Sequence, residues 1–325
     1  MDWIGLYGAF LLLLLLFNIG ASQAIIKTLP GYSGTLPFKL ETGYIDVGEN
    51  NGVQLFYYFI ESENSPKKDP LLLWISGGPG CSGLFGIVYD IGPYTFDIEN
   101  FDGSLPSILL NPYSWTKVAN IIFIDAPIGT GFSYANTSQG YSSSDIKSTK
   151  DIYTFLRKWL LNHPTFIKNR LYVAGESYGG KLTPMVSVEI LRGNEARLQP
   201  QMSFQGYIIG NGLTDPNIDF NARIPYAHRW ARKPYDFGWD QTFRGDHSID
   251  HLVLPNAEQE CQNIFAISDY WANDPIVQEA LNIRKGTITK WRTCYDGISF
   301  EPNVESALEY HKILIKKGYN VLVYK

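Results

Sequence analysis

The chain has 325 residues, with 27 Lys and Arg against 32 Asp and Glu, which gives a formal net charge of −5. This balance argues against an electrostatic nucleic-acid binder, which would carry a basic excess. Hydrophobic residues make up 45% of the chain, enough for a sizeable core and too many for a disordered protein. The three cysteines lie far apart and lack the spacing of zinc ligands, so no metal site is predicted.

Residues 1–24 are predicted to be a secretory signal peptide. Trp3 to Phe17 is almost entirely apolar and is followed by small residues that suit cleavage after Ala24. This run is shorter than the roughly 20 residues of a membrane span, although an uncleaved anchor is the alternative because Asp2 replaces the usual basic residue. We therefore expect an extracellular or vacuolar protein without a stable membrane span, in which the sequon at Asn136 can be glycosylated.

Strand-like and helix-like segments alternate through residues 25–325, which we interpret as a single domain. Short apolar runs predict strands, apolar residues at helical spacing predict helices, and Ser142 to Ser144 and Pro164 delimit the first helix. Their order implies a mostly parallel sheet with helices on both faces. The predicted strands are Val53 to Ile60, Leu71 to Ile75, Ile121 to Ile124, Leu171 to Ala174, Phe204 to Ile209 and Asn320 to Tyr324, and the predicted helices are Asp145 to His163, Lys181 to Leu191, Pro275 to Leu281 and Val304 to Lys317.

The segment Gly175-Glu176-Ser177-Tyr178-Gly179-Gly180 carries the strongest chemical signal. It contains G-x-S-x-G between a predicted strand and a predicted helix, the context of a nucleophile elbow. In such an elbow a tight turn raises the serine hydroxyl above the sheet, and the glycines permit close packing. We therefore expect Ser177 to be a nucleophile.

A glycine-rich loop follows an earlier predicted strand. Its sequence, Trp74-Ile75-Ser76-Gly77-Gly78-Pro79-Gly80-Cys81-Ser82, lacks the Lys-Ser/Thr pair of a phosphate-binding P-loop. A loop of this kind can aim backbone N–H groups at an oxyanion that develops during acyl transfer.

The two motifs together resemble those of the serine carboxypeptidase family. Matches continue in Gly129 to Tyr134, Gly210 to Pro216 and Tyr270 to Asp274, and the resemblance covers about Pro37 to Tyr226 and Leu252 to Tyr324. It implies an α/β-hydrolase fold with a mostly parallel central sheet, helices on both faces and a cap insertion. The polar, aromatic stretch at about 213–265 would be that insertion, shortened relative to the family.

The resemblance also assigns roles to residues around the nucleophile. Ser177 would attack, and the backbone N–H groups of Gly78 and Tyr178 would form the oxyanion hole. Family carboxypeptidases hold the terminal carboxylate of a peptide with an Asn and a Glu. Here Glu176 matches, but Ser76 stands in place of the Asn, as in plant carboxypeptidase-like acyltransferases.

Three functions remain open at this stage. The first is acyl transfer from a 1-O-acylglucose ester to a hydroxyl acceptor through an acyl-enzyme on Ser177, which needs no cofactor. The second is removal of residues from a peptide C-terminus by a serine-type carboxypeptidase. The third is a non-catalytic protein that binds acyl-glucosides or a protein partner.

The catalytic Asp and His of the family are expected after the last predicted strand, where this sequence stops. We therefore expect the C-terminal part of the fold to be missing and this polypeptide to be inactive. His163 and His311 are predicted to lie on the surface, His228 falls in a stretch similar to the family outside its triad, and His247 and His251 fall in the insertion. None of the five occupies the position of the triad base.

The resemblance further implies one disulfide. Cys81 matches a family cysteine that pairs with the counterpart of Cys294, which would join the glycine-rich loop to a segment near the C-terminus. Cys261 is then left without a partner.

Overall fold

The computed structural model describes residues 23–48, 52–222 and 257–324, with side chains in the last range from residue 265 onward. The predicted signal peptide lies outside this part of the chain except for its last two residues, and most of the predicted insertion also lies outside it. No helix in the described ranges is long and apolar enough to cross a membrane.

The central sheet has antiparallel strands at one end and parallel strands in the middle and at the other end. Its strands follow one another in the order Gln23–Ile26 (β1), Leu40–Asp46 (β2), Val53–Ile60 (β3), Asn120–Ile124 (β7), Leu71–Ile75 (β4), Leu171–Glu176 (β10), Phe204–Gly210 (β11) and Asn320–Tyr324 (β13), and Tyr134–Ala135 (β8) adds to β3. Neighbours from β7 to β13 run parallel, which confirms the predicted mostly parallel sheet. The strands are β1 (Gln23–Ile26), β2 (Leu40–Asp46), β3 (Val53–Ile60), β4 (Leu71–Ile75), β5 (Tyr94–Phe96), β6 (Ile108–Leu110), β7 (Asn120–Ile124), β8 (Tyr134–Ala135), β9 (Ser143–Ser144), β10 (Leu171–Glu176), β11 (Phe204–Gly210), β12 (Phe300–Glu301) and β13 (Asn320–Tyr324).

Four helices agree with the predicted ones apart from changes at their ends, and a fifth, Ala257–Asn273, was not predicted because it begins in the stretch at about 213–265 that shows no clean period. The first begins at Asp145, and the Ser144 hydroxyl caps it by accepting a hydrogen bond from the Lys147 N–H. The last begins at Leu308 and not at Val304, because the Val304 N–H donates to the Asp145 carboxylate instead of entering a helix. The helices are α1 (Asp145–Asn162), α2 (Gly179–Glu195), α3 (Ala257–Asn273), α4 (Pro275–Ala280) and α5 (Leu308–Lys316).

Apolar side chains fill both faces of the sheet. On one face α1, α2 and α5 contribute Trp159, Leu182 and Leu314 to the core. On the other face α3 and α4 contribute Trp271 and Val277. The sheet is therefore covered on both sides, as its continuously apolar central strands require.

His163 does not lie on the surface, so that prediction is wrong. It follows the last residue of α1 and is buried, with its ring stacked on Trp159 at 3.9 Å between centroids. Its Nε2 lies 2.8 Å from Glu41 Oε1, and Glu41 also accepts a hydrogen bond from the Tyr57 hydroxyl. The imidazole turns inward because the buried Glu41 on β2 offers it a polar partner beneath the helix end.

The surface prediction for His311 is also wrong. The residue is half-buried on α5, and its Nδ1 is hydrogen-bonded to the Tyr207 hydroxyl of β11. Burial lowers the pKa of His311 below its usual value. The residue turns inward because its face of α5 packs toward the sheet, where the phenol offers a hydrogen bond.

Candidate active site

Ser177 lies at the turn between β10 and α2, the position that the sequence predicts for a nucleophile elbow. Its backbone has φ = +52°, a left-handed conformation that non-glycine residues rarely adopt. The turn is held by hydrogen bonds from the Ser177 N–H to the Gly210 carbonyl (3.1 Å) and from the Leu213 N–H to the Ser177 carbonyl (2.7 Å). The residue is exposed at the tip of this turn, above the carboxyl ends of the parallel strands.

The glycine-rich loop after β4 packs directly against Ser177. A Cβ atom on Gly77 would lie 2.6 Å from Ser177 Cβ and 3.0 Å from Ser177 Oγ, closer than real Cβ contacts come. A Cβ atom on Gly179 would lie 2.3 Å from the Ile75 carbonyl oxygen. Both positions require glycine because the elbow and the loop approach each other without room for a side chain.

Two backbone donors remain available beside this contact. Gly78 is exposed and has φ = +105°, and Tyr178 directly follows the serine. Within the described residues, neither the Gly78 N–H nor the Tyr178 N–H donates to a backbone or side-chain acceptor. Unpaired N–H groups next to an exposed serine hydroxyl can stabilise a negatively charged oxygen.

Glu176 joins the elbow to the loop and is half-buried. Its Oε1 accepts a hydrogen bond from the Gly77 N–H at 3.1 Å. Burial raises the pKa of Glu176 above its ordinary value, and the Gly77 hydrogen bond opposes part of that shift. Burial and, second, the charge of Glu176 raise the pKa of Asp90 to about 7, although Asp90 keeps a solvent-exposed surface. The carboxyl groups of Asp90 and Glu176 therefore interact electrostatically.

Ser76 lies beside these groups but faces inward. It is 3% exposed, and its hydroxyl has no hydrogen-bond partner in the part of the chain that the structure describes. Of the two residues that the resemblance assigns to carboxylate binding, only Glu176 therefore has a polar atom near the surface.

The loop is anchored on its far side by a disulfide and a buried carboxylate. Cys81 and Cys294 are bonded, which confirms the expected pairing, and the Ser82 N–H donates to the Thr293 carbonyl at 2.8 Å. The buried Asp125 accepts hydrogen bonds from the Ser82 hydroxyl (2.6 Å) and the Gly83 N–H (2.8 Å). The loop thus has a defined position relative to the sheet. The side chain of Cys261 lies outside the described residues, so its lack of a partner stays a prediction.

The structure brings Ser177, Gly78, Tyr178, Ser76 and Glu176 together at one end of the sheet. It brings no histidine to them within the described ranges, since His163 contacts Glu41 and His311 contacts Tyr207. His228, His247 and His251 lie outside those ranges. Asn136 is exposed, as a glycosylation acceptor must be, and glycosylation remains a prediction.

Three carboxylates near the site were not predicted from the sequence. Asp90 follows the glycine-rich loop, Asp125 ends a buried strand, and Asp145 begins α1. A signal existed for Asp125, because a carboxylate directly after a fully apolar strand has to be paired or protonated when it is buried. Among the described residues, no group of His, Cys, Asp and Glu could hold a metal ion.

The chain is similar to known proteins along most of its length. The profile of the serine carboxypeptidase family matches residues 30–236. Serine carboxypeptidase-like 2 of Arabidopsis thaliana is 42% identical over 93% of this chain and 76% of its own length. Serine carboxypeptidase-like 17 of the same plant is 40% identical over 97% of this chain and 79% of its own length.

A solved structure shares the fold. Kex1, a prohormone-processing carboxypeptidase from Saccharomyces cerevisiae, superposes with a TM-score of 0.66 over 88% of this chain and 73% of Kex1, at 20% identity. The expected α/β-hydrolase fold with a mostly parallel central sheet is confirmed. With a family profile covering most of the chain and relatives at about two-fifths identity, the protein belongs to the serine carboxypeptidase family.

Proposed function

We propose that Ser177 is the nucleophile of an acyl-transfer reaction that proceeds through an acyl-enzyme. The observation that carries this proposal is the position of an exposed serine on a left-handed turn beside two unpaired N–H donors. Gly78 and Tyr178 supply those donors, and the contact between Gly77 and Ser177 holds them next to the hydroxyl.

The chemistry has two halves. In the first, Ser177 Oγ attacks the acyl carbonyl of a 1-O-acylglucose, the ester bond to the sugar breaks, and the serine proton passes through a general base to the departing glucose oxygen. In the second, an acceptor hydroxyl loses its proton to the base and attacks the acyl carbon, the ester bond to Ser177 Oγ breaks, and the base returns the proton to Oγ. The Gly78 and Tyr178 N–H groups stabilise the oxyanion in both halves.

The burial of Ser76 favours an acyl ester over a peptide as the substrate. A carboxypeptidase of this family needs two side chains to hold the terminal carboxylate, and here the buried Ser76 hydroxyl does not reach the surface. Cleavage at the C-terminus of a peptide is the second candidate function, and the retained Glu176 favours it.

We also propose that the protein enters the secretory pathway and is extracellular or vacuolar.

A comparison of two polypeptides tests the function. One consists of these 325 residues, and the other continues them with the C-terminal region of serine carboxypeptidase-like 2 beyond the matched segment. We expect the longer protein to release glucose from a 1-O-acylglucose and to esterify an added alcohol, and to lose both activities in Ser177→Ala. Cleavage of a blocked dipeptide without consumption of the acylglucose would instead support the carboxypeptidase.

The 325-residue polypeptide alone should show no turnover of either substrate. A serine hydroxyl is a poor nucleophile without a base, and loss of triad residues lowers rates by about 10⁴ to 10⁶. If it binds the acylglucose without turnover while the longer protein is also inactive, the non-catalytic interpretation is correct. Turnover by the short polypeptide that disappears in Ser177→Ala would show that one of its own residues acts as the base.

A further inference from the structure

A carboxylate that the proposed reaction does not use is buried beside the elbow. Asp145, the first residue of α1, has 0% of its surface exposed. Its Oδ1 accepts a hydrogen bond from the Tyr178 hydroxyl at 2.7 Å, and its Oδ2 accepts one from the Val304 N–H at 2.9 Å. Asp145 therefore connects the start of α1 to the elbow and to the segment that precedes α5.

A buried cation compensates this carboxylate. Lys181 Nζ lies 3.5 Å from Asp145 Oδ2, and the Lys181 side chain is 3% exposed. Lys181 belongs to the first turn of α2, and its ammonium group lies 5.2 Å from the centre of the Tyr178 ring. Removing two charges from water costs free energy that their attraction often fails to repay. A pair of this kind is therefore better explained by the geometry it imposes than by a contribution to stability.

Both charged groups lie against the side chain of Tyr178. Its ring is buried, packs edge-on against Phe300 at 5.8 Å between centroids, and ends in the hydroxyl that Asp145 holds. The backbone N–H of the same residue is one of the two unpaired donors beside Ser177. The side chain of Tyr178 is thus fixed at its far end while its main chain forms part of the site.

We propose that Asp145 and Lys181 are positioning residues, which hold the Tyr178 side chain so that the Tyr178 N–H keeps its direction toward the oxyanion. This inference rests on the proposed nucleophilic role of Ser177 and deepens it. Oxyanion donors act only within about 2.7 to 3.1 Å of the charged oxygen. A displacement of about 1 Å in an active site can cost on the order of a hundredfold in rate.

Because Tyr178 is buried beside a carboxylate, its hydroxyl remains a hydrogen-bond donor. Desolvation, and then the hydrogen bond and negative charge of Asp145, raise the pKa of Tyr178 well above its usual value. The phenol therefore stays protonated and donates to the carboxylate over the whole range of pH in which the protein would work.

The test follows acetylation of Ser177 by p-nitrophenyl acetate in the 325-residue polypeptide. This activated ester needs no triad base, because oxyanion stabilisation and binding alone retain an appreciable rate enhancement. Release of nitrophenolate gives the acylation rate constant and the half-saturating ester concentration, and peptide mass spectrometry locates the acetyl group. Ser177→Ala identifies the fraction of the signal that belongs to Ser177.

Tyr178→Phe removes only the hydroxyl that Asp145 holds, and Asp145→Asn removes the charge. We expect each to lower the acylation rate constant at least tenfold without changing the half-saturating concentration. The matched control is Tyr207→Phe, which also deletes a hydrogen-bonded hydroxyl from a buried tyrosine. The acylation rate constant of Tyr207→Phe should stay within twofold of that of the parent chain, even if its thermal unfolding midpoint changes.

Three outcomes would overturn the inference. In the first, Tyr178→Phe is acylated at the parent rate. In the second, Tyr178→Phe and Tyr207→Phe are equally destabilised and their acylation rate constants fall by the same factor. In both cases Ser177 remains the nucleophile and only the positioning role fails. If neither the parent chain nor the longer protein with the added C-terminal region is acetylated at Ser177, the proposed nucleophile is wrong and the positioning role falls with it.

Discussion

The backbone conformation of Ser177 is determined by the residues of its own motif, which are adjacent in the sequence. The left-handed conformation of a non-glycine residue costs on the order of 1 to 3 kcal/mol, and such strain is found mainly at functional sites. The neighbouring glycines are needed for close approach, so the six-residue motif carries the information in consecutive positions. For that reason the elbow was predictable from the sequence.

The buried carboxylates illustrate the opposite case. Asp145 takes its partners from Tyr178, Lys181 and Val304, which are remote along the chain. Nothing near Asp145 in the sequence distinguishes it from an ordinary acidic residue in the first turn of a helix. Only the folded arrangement of α1, the elbow and the segment before α5 shows that its carboxylate is buried.

Asp125 should make stability depend on pH in a defined direction. Its burial raises its pKa from the ordinary 3.8 to about 6, and the hydrogen bonds from Ser82, Phe132 and Gly83 oppose this only in part. Because the folded-state pKa is the higher one, the native protein holds more protons than the unfolded chain between about pH 4 and pH 6. The Asp125 contribution to the free energy of unfolding therefore decreases as pH rises through that window.

The variant Asp125→Asn isolates this contribution. A difference of about two pKa units corresponds to about 3 kcal/mol, so the parent chain should lose up to that much relative to Asp125→Asn between pH 4 and pH 7. Urea unfolding of both proteins at several pH values measures the difference. A difference that stays constant, or that grows in favour of the parent chain as pH rises, would contradict the assignment.

At the scale of elements, apolar periodicity predicted the central strands and four of the helices that cover them, but not α3. Strand β4 and residues 121–124 of β7 are continuous apolar runs because they are buried on both faces. Strand β2 was not predicted, since Leu40–Asp46 contains Glu41, Gly43 and Asp46 and has no apolar period. Its residues are buried by pairing between β1 and β3, a long-range effect that the local pattern does not contain.

The disulfide should stabilise the glycine-rich loop and the whole chain. It closes a segment with a sequence separation of 213 residues, for which the chain-entropy treatment gives about 5 kcal/mol. The double variant Cys81→Ala/Cys294→Ala should therefore have a clearly lower free energy of unfolding in urea. The control is Cys261→Ser, which should leave that value nearly unchanged.

Peptide mapping without reduction checks the connectivity itself. Protein from a secretory host should yield a peptide that links Cys81 to Cys294, in the parent chain and in Cys261→Ser alike. A peptide that links Cys81 to Cys261 would show that the pairing differs from the one described here.

At the scale of the whole molecule, β13 forms one end of the sheet. It pairs with β11 on one side, and on its other side no strand of the described residues pairs with it. Its side chains Val321, Leu322, Val323 and Tyr324 are 37% to 61% exposed. An apolar groove of about 280 Å³ is lined in part by Ile208 of β11 and by Trp115, whose ring centre lies 6.5 Å from that of Tyr324. An unpaired apolar edge of this kind invites association with other chains.

We therefore expect a polypeptide of these 325 residues to be marginally stable and to associate as its concentration rises. Val323→Lys places a charge on the edge and should reduce association, because lysine on an edge strand disfavours strand addition. The control Leu161→Lys changes an equally exposed leucine on α1 and should not reduce it. Analytical ultracentrifugation measures both, and a parent chain that stays monomeric at all concentrations, with a cooperative transition above about 55 °C, would contradict this expectation.

The proposed function requires that the donor substrate acylates Ser177. The most direct measurement incubates the longer protein, extended by the C-terminal region of its relative, with a 1-O-acylglucose in the absence of an acceptor and quenches it in acid. Mass spectrometry should then find the acyl group as an ester on the peptide that contains Ser177, together with one equivalent of free glucose. An unmodified Ser177 after glucose release, or an acyl group on another residue, would contradict the account.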